Sequence, residues 1–252
     1  MLLEVCCGSY EDGMIALEQG ANRIELNSAL SLGGLTPSFA TFQCLKEAMK
    51  EKKIPIIAMI RPRGAGFHYT TKEIEVMFED AKIFLEAGVD GLAFGFLTKD
   101  KTIDINLTWK MVQLIHSYGK EAVFHRAFDC VDDLSQAMEQ LIHCQVDRVL
   151  TSGGMINVIE GIKQLTYLQA RYGTKIEILA GCGVNEENVT ELIQQTKVKQ
   201  VHSSCKDYQR DETTTGTYVN YAYHKVPHEN DYECVSAIKV KKLVERIKKG
   251  NK

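Results

Sequence analysis

Eight times along this chain a short apolar run ends in polar residues and gives way to a helical stretch. The runs occupy residues 2–6, 23–27, 56–61, 91–95, 122–124, 148–152, 176–181 and 200–204. Between them apolar residues recur three or four apart, as in Met14 and Leu17, Ile74, Met77 and Phe78, Leu134, Met138 and Leu141, or Val189, Leu192 and Ile193. Eight strand–helix units in 252 residues match the size and order of an α/β protein of one kind, the (β/α)8 or TIM barrel. In such a barrel the C-terminal ends of all strands meet at one mouth, so residues far apart in sequence converge there. The alternation leaves no cut, and residues 1–252 read as a single barrel domain with a long loop or insertion at about 205–235.

Composition narrows the partners. The formal net charge of −3 gives no electrostatic footprint for nucleic acid or an anionic membrane surface. The basic C-terminal stretch (Lys239, Lys241, Lys242, Lys248, Lys249, Lys252) has Val240, Leu243, Val244 and Ile247 interleaved at helical spacing. That pattern predicts an amphipathic last helix with a solvated lysine face. No run is apolar for long enough to span a bilayer, and the N-terminus lacks the basic-then-apolar layout of a secretory signal. The eight cysteines show neither CxxC nor zinc-finger spacing, which predicts reduced thiols in a cytosolic protein.

Three connections after strands are longer than a turn requires: residues 27–37, 61–70 and 205–235. Long loops at a barrel mouth are commonly functional. The last, rich in Tyr, His, Asp and Thr, reads as a mobile cover or as a contact between copies in a homo-oligomer. Strand alternation sends Glu4 and Cys6 of the first strand inward, with Arg23, Glu25 and Asn27 of the second. Two inward glutamates on adjacent strands are costly in a purely structural interior. They either serve chemistry or brace the barrel by pairing with Arg23 or Arg61.

Further polar residues end the other strands. Arg61 and Arg63, on either side of Pro62, can fork onto a carboxylate or phosphate. His125 is followed by Arg126 and Asp129; if the fifth strand stays extended, His125 and Arg126 point opposite ways and only one enters the pocket. His202 ends the eighth strand. Gly153-Gly154 and Gly181-Cys182-Gly183 let backbone approach an anion, with Asn185 placed to cap the next helix. No lysine ends a predicted strand, which argues against a Schiff-base aldolase. No organic cofactor is expected.

Several segments together resemble the CutC family: Glu4-Val5-Cys6, residues 20–26 (Gly-Ala-Asn-Arg-Ile-Glu-Leu), residues 33–38, Met59-Ile60-Arg61-Pro62-Arg63, residues 124–129 (Phe-His-Arg-Ala-Phe-Asp), residues 148–153 and Val201-His202-Ser203-Ser204. The match runs in register from residue 2 to about 205. The resemblance implies a TIM barrel assigned to cytosolic copper homeostasis. It would place a copper ligand at Cys6 and a second where many relatives have Cys after Glu-Leu; this chain has Asn27 there. His68 stands in a loop position where some relatives carry Cys. Copper(I) prefers thiolates, so any soft-metal site here would join Cys6 with Cys182 or Cys205, which follow neighbouring strands; the alternative is that these two are small loop residues with unrelated directions. Two functions stay open. One is a Cu(I)-binding barrel with thiols at the mouth. The other is an enzyme on a small anionic substrate, with Glu4, Glu25, Arg61, His125, Asp129 and His202 for catalysis, and Arg63 and the Gly153, Gly154, Gly181 and Gly183 turns holding the anion.

Overall fold

A short strand buried on both faces needs partners on both edges, and eight of them satisfy one another by closing. In the computed structural model, which describes residues 1–250, the barrel is closed and runs in sequence order. Its parallel strands are β1 (Leu2–Cys7), β2 (Arg23–Leu26), β3 (Ile56–Met59), β4 (Gly91–Phe94), β5 (Glu121–Phe124), β6 (Arg148–Thr151), β7 (Glu177–Ala180) and β8 (Gln200–Ser203). The outer helices are α1 (Tyr10–Glu18), α2 (Phe39–Met49), α3 (Thr71–Glu86), α4 (Ile105–Ser117), α5 (Leu134–His143), α6 (Ile162–Tyr172), α7 (Val189–Thr196) and α8 (Ala237–Gly250). The architecture is the (β/α)8 barrel that the repeats predict.

Leu3, Val5, Cys7, Ile24 and Leu26 join the apolar layer between strands and helices, while Ile57, Met59, Ala93 and Val123 form a small apolar cluster of their own. The N-terminal end of the barrel is closed by charge. Arg148 is buried between Glu121 and Glu177, at 2.6 and 3.0 Å, and Gln200 links Glu177 to Arg23. In α8, Val240, Leu243, Val244 and Ile247 are buried and Lys241, Lys242, Lys248 and Lys249 are exposed. Lys252 lies outside the described residues.

Beyond β8 the chain forms an antiparallel hairpin, β9 (Lys206–Arg210) with β10 (Asp231–Val235). Its base is fastened to the barrel, because the Val235 amide donates to Asp12 Oδ1 at 2.6 Å and Asp12 Oδ2 accepts from the Gly8 amide. One end of the long connection is therefore part of the mouth wall, and Lys206, Glu233 and Val235 line the cavity there.

Candidate functional site

A cavity of about 650 Å³ opens at the C-terminal ends of the strands. Its two sides are built differently. On one side strand register sets the contacts. Cys6 of β1 is paired with Glu25 of β2, and Glu4 lies between Arg23 of β2 and His202 of β8. Arg23 Nε donates to Glu4 Oε2, and His202 Nδ1 bonds Glu4 Oε1 at 2.7 Å. With Nδ1 occupied, the other ring nitrogen, Nε2, faces Glu25 Oε2 at 4.0 Å. The Cys6 thiol donates to that same oxygen across 3.6 Å, and Asn27 Nδ2 donates to it at 2.9 Å and to Cys6 Sγ at 3.4 Å. Gly34 (φ +84°) lets Asn27 sit there, since a Cβ at Gly34 would lie 2.3 Å from Asn27 Oδ1.

Burial acts on each of these groups and the neighbours decide the outcome. Burial alone would raise Glu4, but the His202 hydrogen bond and the Arg23 charge bring it down to about 2. Burial raises Glu25, and the nearby Glu4 adds to the rise against the opposing charge of His202. Burial would lower His202, yet Glu25 and Glu4 together raise it. Burial and the Glu25 charge push the Cys6 thiol well above its usual range. One imidazole is thus shared between two carboxylates. Cys6, Glu25 and His202 each offer a ligand atom within 4.8 Å of the others, the one such group among the described residues.

The other side is made by Arg61, after β3, and His125, after β5. Arg61 is only 4% exposed. Its Nη1 donates to the carbonyls of Leu32 and Gly34, both at 3.0 Å, and its Nη2 to that of Ala65 at 2.6 Å. Nε has no partner, and among the described residues no carboxylate pairs with Arg61. His125, 3% exposed, accepts the Ala127 amide at Nδ1. The ring proton is therefore on Nε2, which is buried without a partner. Burial and the Arg61 charge push His125 down to about 3, so it stays neutral. Phe67 lies against both, its centroid 5.0 Å from the Arg61 guanidinium carbon and 5.0 Å from the His125 ring.

The structure moves several expected residues. Glu4 does not line the cavity and is linked to it by the hydrogen bond with His202. Arg63 does not line the cavity; its Nε is held by Glu73 at 2.6 Å in the first turn of α3. Arg126 and His125 both line the cavity, because the chain turns into a 3-10 segment, Arg126–Cys130, directly after His125. Asp129 lines it too but does not engage His125. Its carboxylate takes Arg126 Nε, Thr151 Oγ1 and the amides of Ser152 and Gly154. The Gly153 amide goes to Thr151 Oγ1. An internal carboxylate thus fills the nest that Gly153 and Gly154 were expected to offer an anion. Gly181 serves space instead: a Cβ there would lie 2.5 Å from Leu150 and 3.2 Å from His202. Gly183 lines the cavity, and its carbonyl takes Asn188 Nδ2 at 2.8 Å. Asn185 bonds the Glu187 and Asn188 amides, capping a turn ahead of α7 rather than α7 itself.

The expected thiol pairing is corrected as well. Cys205 (φ 42°) is packed in the outer apolar layer with Sγ on Ser203 Oγ. Cys182 lines the cavity, but its thiol donates to the Ile156 carbonyl at 3.1 Å and it is not in the ligand group with Cys6. Lys206 was missed: it reaches the wall from β9, three residues past β8. Burial would lower it, but its bonds to Tyr208 and Glu233 raise it, so it is an ammonium held by Glu233 rather than a free amine. Its signal was the charged start of an unpredicted hairpin.

Barrel and mouth together define a (β/α)8 protein with a mixed sulfur, nitrogen and oxygen donor cluster. The model of the CutC family matches residues 1–207, and the chain belongs to that family. It is 40% identical over 246 residues to a CutC family protein of Treponema denticola, covering 97% of this chain and 98% of that one. A CutC family protein of Vibrio vulnificus is 42% identical over 212 residues, 84% of each chain. A crystal structure from Streptococcus agalactiae, provisionally described as the copper homeostasis protein CutC, shares 32% identity at a TM-score of 0.75, over 81% of this chain and 98% of its own. At 15% identity, 3-hexulose-6-phosphate synthase from Salmonella typhimurium superimposes with a TM-score of 0.61, over 99% of this chain and all of its own, a likeness of fold alone.

Proposed function

We propose that this protein serves copper homeostasis by binding a copper ion at the barrel mouth through Cys6 Sγ, His202 Nε2 and the Glu25 carboxylate. The observation that carries the reading is that these three ligand atoms lie within 4.8 Å of one another. Family membership and the copper role given to the Streptococcus agalactiae relative support the choice of metal. The surroundings suit a ligand set. Glu4 holds His202 by Nδ1 and leaves Nε2 free, the usual carboxylate–histidine arrangement behind a metal. Asn27, standing where the resemblance implies a second thiol, is no soft ligand, but its amide donor toward Cys6 Sγ favours the thiolate. Sulfur and imidazole nitrogen suit Cu(I); the carboxylate oxygen balances charge. Because the thiol binds its proton tightly, the cation must displace it, and binding weakens as pH falls.

Anaerobic Cu(I) titration against a chromophoric competitor tests this in wild type, Cys6→Ser and His202→Gln. Each substitution is expected to weaken binding more than about tenfold. Equal affinity in wild type and Cys6→Ser would end the reading. Tighter Zn(II) than Cu(I) binding at the same residues would keep the site and remove copper.

A further inference from the structure

The donor side of the mouth is unused by the metal reading. We infer that Arg61 and His125 form a second binding site, for the carboxylate of a small organic acid. Both side chains are more than nine-tenths buried in the cavity wall, and each keeps one N–H without an acceptor, Arg61 Nε–H and His125 Nε2–H. Both directions are fixed. Three loop carbonyls hold the guanidinium, and the Ala127 amide holds the imidazole tautomer. The three carbonyls satisfy N–H groups but carry no countercharge. A buried cation with no carboxylate partner is costly unless an anion completes it.

Chemistry selects the anion. Two unpartnered donors, both on side chains packed against Phe67, and one positive charge match a single carboxylate, which accepts one hydrogen bond on each oxygen. A phosphoryl group wants more donors, and the nearby loop amides that could supply them are taken, Gly154 by Asp129 and Gly153 by Thr151. The wall also carries Met59, Phe67, Leu150 and Met155, which suit a short carbon chain, while Arg126 is tied to Asp129 and Ser152. Neutral His125 donates to the anion at any pH above its low titration point. The site does not depend on a metal on the opposite side.

The test uses chelator-treated protein, so that failure of copper binding and failure of anion binding are read separately. Butyrate is titrated by calorimetry while the His125 Nε2–H resonance is followed by NMR, with inorganic phosphate at matched ionic strength as the comparison. His125→Asn is the informative variant: an Asn oxygen can still accept the Ala127 amide, as a good turn cap does, but the Nε2 donor is gone. Saturable butyrate binding in the millimolar range is expected, with the His125 resonance moving downfield. It should weaken about tenfold or more in His125→Asn, as for loss of a hydrogen bond to a charged group. No saturable butyrate binding in that range, or equal affinity in His125→Asn, overturns the site. Phosphate binding as tight as butyrate overturns the carboxylate assignment.

Discussion

Two histidines end two strands of the same barrel, both nearly inaccessible, and their surroundings drive them in opposite directions. His202 sits between the carboxylates of Glu4 and Glu25 and is raised. His125 faces the guanidinium of Arg61 with no acid in contact and falls to about 3. Burial is common to both, so the nearest charge decides. The β8–β1–β2 side of the mouth thereby suits a cation, and the β3–β5 side suits an anion. A barrel interior keeps such opposites apart because each strand contributes its own side chains at a fixed height.

The largest expected effect lies on the acidic side. Glu4→Gln keeps the shape but leaves Arg23 buried without its countercharge and His202 with only the more distant carboxylate of Glu25. Removing one partner of a buried pair costs about 3–5 kcal/mol, to be measured by urea unfolding. A loss near zero would mean that the brace beneath the mouth is not electrostatic, and the contrast between the two sides would lose its foundation.

The pH dependence of stability separates the histidines by sign. Between the unfolded value near 6.5 and the folded value of about 3, the unfolded chain holds a proton on His125 that the native state does not. Stability from this residue is therefore present above pH 6.5 and lost as pH falls, at roughly 1.4 kcal/mol per pH unit. His202, raised in the folded state, contributes stability fully below its unfolded value and loses it as pH rises through the folded one. Denaturation midpoints from pH 4 to 8 should thus flatten on the acid limb in His125→Asn and on the neutral-to-alkaline limb in His202→Gln. Both variants changing the same limb would break the comparison.

How far the sequence reveals this depends on whether a residue is placed by period or by partner. The eight strands and the inward set Glu4, Cys6, Arg23, Glu25 and Asn27 follow from two-residue alternation and were readable, as was the lysine face of α8. Residues beyond strand ends were not. Arg126 enters the cavity because the chain turns at His125, and Asp129 occupies the Gly154 amide through a contact 25 positions away in sequence. Cys205 turns outward at a single left-handed residue. Lys206 is in the wall because β9 pairs with β10, a register set across the long connection. Nothing local encodes these choices. Nor does sequence distinguish Arg61 from Arg63, two residues apart in the same loop.

That pair yields the smallest and most specific prediction. Arg63 has a partner the sequence does not single out: Glu73, which also closes the N-terminal cap of α3 by accepting the Thr70 amide at 2.7 Å. Its charge is answered outside the cavity, whereas that of Arg61 is not. Arg63→Gln should therefore leave butyrate affinity within about twofold of wild type, since a group touching no ligand couples weakly to its binding. Arg61→Lys should abolish saturable binding, because an ammonium has no fixed Nε–H and cannot fork onto the Leu32, Gly34 and Ala65 carbonyls at once. Circular dichroism and the thermal midpoint show whether Arg61→Lys still folds; if it does not, His125→Asn carries the comparison on the same side of the mouth. Loss of binding in Arg63→Gln alone would place the anion in the outer loop and exchange the roles of the two arginines.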